Sequence, residues 1–309
     1  MGFLFEYLKV TTLEAVFTAR GAGRLPEYLG STIRGILGHC FRDFVCDMRA
    51  TKCFACEKQS GCLYVRNFAN TSGQGGAINP YVLLSCTQGK TEWKPGDECR
   101  FRLTLFGTAA ESPGIYMDAL LAMERRGWGA AKIPFALNRL VDWETGRLIY
   151  GAGRPYLRNL APHAMEIRPV NARSVMVSFQ TPVRIVAGKT LFTSLPFQEL
   201  VRFLMGRFAQ MTQAYTDYVM EWDQEEMLRQ AGQIKTVAEH WNYLDFSRYS
   251  INSSNGKLEL PARTGWALYE GDLGAFVPYL EAGRYLHVGK NTTIGFGRYE
   301  LYYDGGFTV

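Results

Sequence analysis

Three glycines close together near the C-terminus constrain this chain more than any other feature. Gly289, Gly295 and Gly297 fall within Tyr285-Leu-His-Val-Gly-Lys-Asn-Thr-Thr-Ile-Gly-Phe-Gly-Arg-Tyr-Glu-Leu301, with Lys290 and Arg298 among them. Apolar runs on both sides predict a strand, a glycine-rich loop and a second strand. Glycine lets the backbone adopt positive φ and pass close to another chain. Successive N–H groups in such a loop make a concavity for anions, and neighbouring cations favour phosphate. The spacing is not that of a Walker loop, and the glycines do not open a helix as a dinucleotide fingerprint would. Two readings remain at this level, a nucleic-acid-binding loop or a tight hairpin in a β-rich domain.

The rest of the chain divides into two similar series. Residues 3–20 alternate as a strand. Residues 26–48 read as an amphipathic helix with Ile33, Ile36, Leu37, Cys40, Phe41 and Phe44 on one face, and Pro26 suits its first turn. Cys99 to Gly107 reads as a strand, and Tyr116 to Arg126 as a helix closed by Gly127-Trp-Gly129. Residues 150–170 have the character of a linker. Beyond it, Val175 to Phe179 reads as a strand, Pro196 to Val219 and Gln224 to Trp241 as helices. Tyr243 to Ile251 and Leu258 to Tyr269 read as strands, with Asn252 to Gly256 as their turn. Asp272 to Glu281 is a short helix before the glycine loop. Two β-α-β series imply an α+β chain of two tandem ferredoxin-like (RRM-like) domains, residues 1–165 and 166–309.

A chain of 309 residues suits two domains, and an apolar fraction of 47% supports a real core. A net charge of +5 permits nucleic acid without requiring it. No apolar run is long enough to span a membrane and no N-terminal signal is present, so the expected location is cytoplasmic. Four of the seven cysteines lie in residues 46–62. That crowding suits a reducing compartment and a metal better than a disulfide framework. Cys46, Cys53, Cys56 and Cys62 follow C-x₆-C-x₂-C-x₅-C, enough thiolates for a tetrahedral structural zinc with no open position. The polar 46–80 insertion would need such a staple.

Several blocks, in order along nearly the whole chain, resemble one family. They are Leu25 to His39, the four cysteines followed by Tyr64, Phe101 to Gly107, and Arg126 to Gly129. Phe179 to Arg184, Trp241 to Ser250 and the glycine loop complete them. Together they resemble the pre-crRNA-processing endoribonucleases, the sixth Cas family, within the RAMP superfamily of CRISPR-associated proteins. The resemblance implies tandem ferredoxin-like domains and a CRISPR repeat RNA as partner. It implies cleavage without a catalytic metal, leaving a 2′,3′-cyclic phosphate and a 5′-hydroxyl, with retention on the mature crRNA beside other CRISPR effector subunits. The rival reading is a non-cutting RNA-binding subunit that caps the guide. A metal-dependent nuclease is disfavoured, since no suitable Asp/Glu/His constellation stands out.

Such cleavage needs a group titrating near neutrality and cations around the phosphate. His39 lies roughly 120° from the centre of its helix's apolar face, so it projects away from the core. The resemblance implies that it is the catalytic acid/base; an idle surface histidine or a fifth metal ligand are the alternatives. His287, beside the glycine loop, either touches RNA or is a buried residue that shapes the loop. His240 reads as a helix cap, and His163 lies in the linker. Arg34, Arg42, Lys290 and Arg298 are the candidate phosphate ligands, with Gly289, Gly295 and Gly297 lining the RNA. Arg248 serves either RNA or an internal ion pair.

Overall fold

The computed structural model of the chain describes residues 3–69, 78–249 and 257–304. It divides into two compact units, Met1–Ala164 with Gln210–Asp217, and Met165–Ala209 with Tyr218–Val309.

The first unit is built around β1 (Val10–Ala19), whose alternation sends Leu13, Ala15, Phe17 and Ala19 into the core. Its other face mixes the buried Val10 and Val16 with polar residues. Thr12 Oγ1 lies 3.2 Å from Thr104 Oγ1, and Arg102 Nε donates to Glu14 at 3.0 Å. Helix α1 (Gly30–Val45) buries Ile33, Ile36, Leu37, Cys40 and Phe41, the three-and-four spacing of a single apolar stripe. Then come β2 (Tyr81–Ser85), β3 (Glu98–Phe106), α2 (Gly114–Ala122) and β4 (Phe135–Asp142). The strands run antiparallel in the order β2-β3-β1-β4. A hairpin of β5 (Leu148–Gly151) and β6 (Arg154–Pro155) extends the β4 edge.

The second unit repeats this path. It comprises β7 (Ser174–Phe179), α3 (Phe197–Tyr215), α4 (Gln224–Ala231), β8 (Lys235–Leu244), β9 (Ala262–Glu270), α5 (Val277–Leu286) and β10 (Tyr299–Tyr303). Its sheet order is β8-β9-β7-β10, again antiparallel. In both units the first strand of the series sits between the third and the fourth. That is the ferredoxin-like β-α-β-β-α-β arrangement, so the expected α+β class is observed.

Several elements differ from the sequence reading. The opening strand starts at Val10, after a helical turn over Phe3–Tyr7. Helix α1 starts at Gly30, leaving Pro26 outside, and Phe44 is 52% exposed rather than buried. Residues 148–155 are not linker but sheet, because Ile149 and Tyr150 pack on the first core. The predicted helix over 224–241 stops at Ala231, and Lys235–Leu244 is a strand. Gly232 ends the helix, and the β-branched and aromatic residues that follow favour extended backbone. His240 is therefore mid-strand and caps no helix. The glycine loop is entered from helix α5, not from a strand. The turn at Asn252 to Gly256 lies outside the described residues. Among the described residues no helix is long and apolar enough to cross a membrane.

Helix α5 is held unusually close to β10. Tyr299 Oη donates to the Leu280 carbonyl at 2.7 Å, and a Cβ on Gly283 would stand 2.1 Å from that oxygen. The fully buried Glu281 accepts from Arg168 Nε at 3.0 Å, Arg284 Nη1 at 3.2 Å and Tyr303 Oη at 3.0 Å. Gly283→Ala is expected to lower stability by about 1–3 kcal/mol through overpacking. Urea denaturation checks this, and an unchanged midpoint would mean that helix and strand do not meet this closely.

Candidate functional site

His39 sits on the exposed side of α1, one residue before the buried Cys40. Asp43 follows at i+4 and Arg42 at i+3, so both share its side of the helix. Partial burial, then the positive charge of Arg126, holds the His39 pKa below its ordinary value. Asp43 opposes this, while Arg42 and Lys132 add to it. At neutral pH the imidazole is therefore a free base among cations.

The cations come from a turn that the sequence makes rigid. Trp128 N donates to Ile133 O at 2.8 Å and Ile133 N to Trp128 O at 3.0 Å. The fully buried Trp128 ring stacks on Phe135 with centroids 4.4 Å apart. A Cβ on Gly127 would lie 2.6 Å from the Lys132 backbone, so only glycine lets the turn close. At its ends stand Arg126, paired with the Asp43 carboxylate, and Lys132, held at φ 51°. Non-glycine residues rarely adopt that conformation, and such strain collects at functional sites. The sequence reading used Arg126 to Gly129 as a resemblance block, with Gly127 to Gly129 as a helix stop, and gave Arg126, Lys132 and Asp43 no role at the site. The signal was present in the Gly-Trp-Gly spacing beside an arginine.

Arg42 and Arg34 are not open phosphate ligands here. Arg42 donates to the carbonyls of Arg49 at 3.1 Å and Thr51 at 3.3 Å, and its guanidinium lies 5.6 Å from the Tyr64 ring centroid. The nearby Cys46 raises its pKa. Arg34 donates to Phe68 O at 3.0 Å. Both arginines pin the cysteine-bearing segment to α1. Asn67 and Phe68 are buried, so that segment also has a foothold in the core.

Cys46, Cys53, Cys56 and Cys62 are all half-buried and free. A 3-10 turn at Cys53–Ala55 joins Cys53 to Cys56, and a second at Gln59–Gly61 leads to Cys62. Burial pushes the Cys53 thiol up, Arg42 pulls it down, and the other three cysteines push it up again. The four thus form one electrostatic cluster, and their chemistry suits zinc. Among the described residues, however, no three His, Cys, Asp or Glu converge as a metal's ligands would. Neither the four cysteines nor His39 belongs to such a group.

In the second unit the glycine loop runs from His287 to Arg298. Gly289, Gly295 and Gly297 have φ of 83°, 99° and 77°. A Cβ on Gly297 would stand 1.9 Å from Val288 O, so this glycine is a packing requirement. His287 is 2% exposed, with Nδ1 3.0 Å from Phe296 O, and burial drives its pKa well down. It shapes the loop and is withdrawn from the RNA-contacting set. Arg298 pairs with Glu300, a carboxylate it shares with Arg284, and donates to the Tyr299 carbonyl, so its guanidinium is already engaged. Lys290 is exposed. Arg248 is half-buried in the short strand Ser247–Tyr249. His163 Nε2 lies 3.0 Å from the fully buried Asp142 carboxylate, a structural pairing. His240 Nε2 lies 3.2 Å from Asn242 Nδ2 on the exposed side of β8.

Residues 8–164 match a family model described as the AF_1859_N N-terminal domain, and residues 177–299 match that of the CRISPR-associated endoribonuclease Cas6. The first match covers just over half of the chain, which belongs to that family; its C-terminal part is similar to Cas6. None of the curated proteins matches it. Among solved structures, a partial Cas6-RT-Cas1–Cas2 complex aligns with 98% of this chain at 12% identity and a TM-score of 0.61. This chain spans only 47% of that one, and 30% of the chain in a second such complex. A Cas6 product complex aligns over 95% of this chain and 100% of its own, at 15% identity and a TM-score of 0.57. Thermus thermophilus Cas6 aligns over 96% and 99%, at 14% identity and 0.53. At these identities the likeness is one of fold.

The surroundings of His39 make a checkable electrostatic statement. Replacing Arg126 removes a positive charge and leaves Asp43 free to favour the imidazolium. Arg126→Gln is therefore expected to raise the His39 pKa, read by NMR titration of the ring proton. No rise would show that Arg126 does not act on His39.

Proposed function

We propose that the chain is an endoribonuclease that binds CRISPR repeat RNA and cuts it, with His39 moving the proton. The observation that carries this is the exposed imidazole of His39, kept neutral by burial and by Arg126, Arg42 and Lys132. The similarity of residues 177–299 to the Cas6 endoribonuclease model supports the substrate class. In the proposed reaction the 2′-oxygen attacks the adjacent phosphorus and gives up its proton to His39. The bond to the 5′-oxygen breaks, and that oxygen takes a proton. A 2′,3′-cyclic phosphate and a 5′-hydroxyl result. The nucleophile belongs to the substrate, so the step requires no metal. Lys132 supplies positive charge where the phosphorane becomes more negative, beside Arg126 in its pair with Asp43. Retention on the mature crRNA, within a larger CRISPR assembly, is part of the same proposal.

His39→Ala is expected to slow cleavage roughly 10²–10⁴-fold while leaving RNA affinity near wild type, because proton transfer matters only in the transition state. A 2′-deoxyribose 5′ of the cut should abolish cleavage, and EDTA should not on the assay timescale. A mutant that cuts at the wild-type rate would overturn the assignment. Tight binding by the wild type without any cleavage would favour the guide-capping subunit instead.

We also propose that Cys46, Cys53, Cys56 and Cys62 hold a structural zinc, the metal drawing the thiol cluster together. Elemental analysis should find one zinc per chain. Chelation should raise hydrogen exchange in residues 46–69 more than in the second unit, since the site staples a segment and not a core. A folded protein free of metal would reject this.

A further inference from the structure

Two polar atoms beside the glycine loop have no partner, and they face it from different segments. The first is in the segment that follows β7. Gly297 N donates to Pro182 O at 2.8 Å, Val183 forms a bridge with Arg263, and Lys290 N donates to Arg184 O at 2.8 Å. A Cβ on Gly289 would stand 2.7 Å from that Arg184 oxygen. Residues 182–184 are thus bound edge-on to the loop. The Arg184 Nε is buried with no acceptor, and Arg184 has no ion pair among the described residues. Burial alone lowers its pKa, with no carboxylate to oppose it. The second atom is Oδ1 of Asn291, buried with no donor, on a residue held at φ 67° inside the loop.

The neighbouring polar groups are satisfied by the protein. Arg298 has Glu300, and His287 has Phe296 O. Arg207 reaches from α3 to Leu286 O at 2.8 Å and to Thr292 Oγ1 at 2.8 Å. Buried groups left without partners are rare in native structures and call for an explanation. A guanidinium N–H out of water lacks an acceptor, and a buried amide oxygen lacks a hydroxyl or N–H donor. Phosphate and ribose supply both, and the exposed Lys290 lies between Gly289 and Asn291.

We infer that Arg184 and Asn291, with Lys290, form a nucleotide subsite on the glycine loop. The Arg184 guanidinium takes a backbone phosphate, and Asn291 Oδ1 accepts a hydrogen bond from a ribose 2′-hydroxyl. The inference rests on the RNA-binding function proposed above. It adds two residues that the loop's glycine pattern does not name, and it gives the loop a means of telling RNA from DNA.

The test uses the full chain with a labelled repeat RNA from the host's own CRISPR array and a DNA oligonucleotide of the same sequence. Arg184→Met keeps the bulk of the side chain and removes a buried unpaired charge. It is expected to leave the urea midpoint equal or higher while weakening RNA binding about tenfold, the worth of one charge-assisted hydrogen bond. The slope of log K against log salt should become shallower by roughly 0.7–0.9, one phosphate contact. Arg184→Lys should restore most of the slope. Asn291→Gly, which tolerates positive φ, should weaken binding to RNA but not to DNA. Wild-type affinity and slope in Arg184→Met would overturn the subsite while leaving the RNA-binding reading intact. Joint loss of stability and binding would assign Arg184 a structural role instead. A wild-type protein that does not bind the repeat RNA would overturn both.

Discussion

Each unit depends on one strand whose backbone is hydrogen-bonded along both edges. β1 pairs with β3 and β4, and β7 pairs with β9 and β10. Because each is the first strand of its series and lies between the third and the fourth, the connections must cross a face of the sheet. In these units helices make the crossings. Side chains of β1 and β7 then alternate between the two faces of the sheet, the second face half-exposed along β7 and mostly buried along β1. In the first unit this buries Phe17 with Trp128 and places Glu14 on the opposite face with Arg102. Helix α1 must present its apolar stripe to the sheet, and what it presents outward follows from that. His39 is exposed because Ile36, Leu37, Cys40 and Phe41 are not.

The chemistry proposed for His39 is a property of several segments. On α1 alone the residue has Asp43 and Arg42 as helical neighbours, a nearly balanced pair of charges. The turn after α2 tips that balance by supplying Arg126 and Lys132. The turn keeps its shape through Trp128 in the core, and its glycines permit the approach. A packing residue far from the surface thereby sets the position of charges at the surface.

The glycine loop divides its tasks differently from the expectation. Gly297 and Gly289 allow close backbone approach, to Val288 and to Arg184 respectively. His287 and Arg207 hold the loop from beneath. Arg298, a cation that the sequence singles out, is engaged by Glu300 two residues along the chain, which also holds Arg284. Adjacent alternate residues of a strand share a face, so a pairing at i, i+2 is local and was open to reading. The uncompensated cation instead arrives from Arg184, more than a hundred residues earlier in the chain.

Local periodicity in the sequence determined most of the elements. The stripe on α1, the alternation of Val175 to Phe179 and the long pattern of α3 all appear as read, because 3.6- and 2-residue repeats record which face is buried. Glycine spacing located the loop, and the cysteine spacing located the thiol cluster. The repeated β-α-β series carried the fold class. Tertiary structure decided the rest. It turned Lys235–Leu244 into a strand, where short apolar runs are ambiguous between helix and sheet. It drew Ile149 and Tyr150 onto the first core, making sheet of a segment that reads as linker. It also decided which charges are free. Whether an arginine meets a carboxylate, a carbonyl or nothing depends on partners far away in sequence. Composition shows that Arg42, Arg126, Arg184 and Arg298 are cations, but only the fold determines which are already engaged.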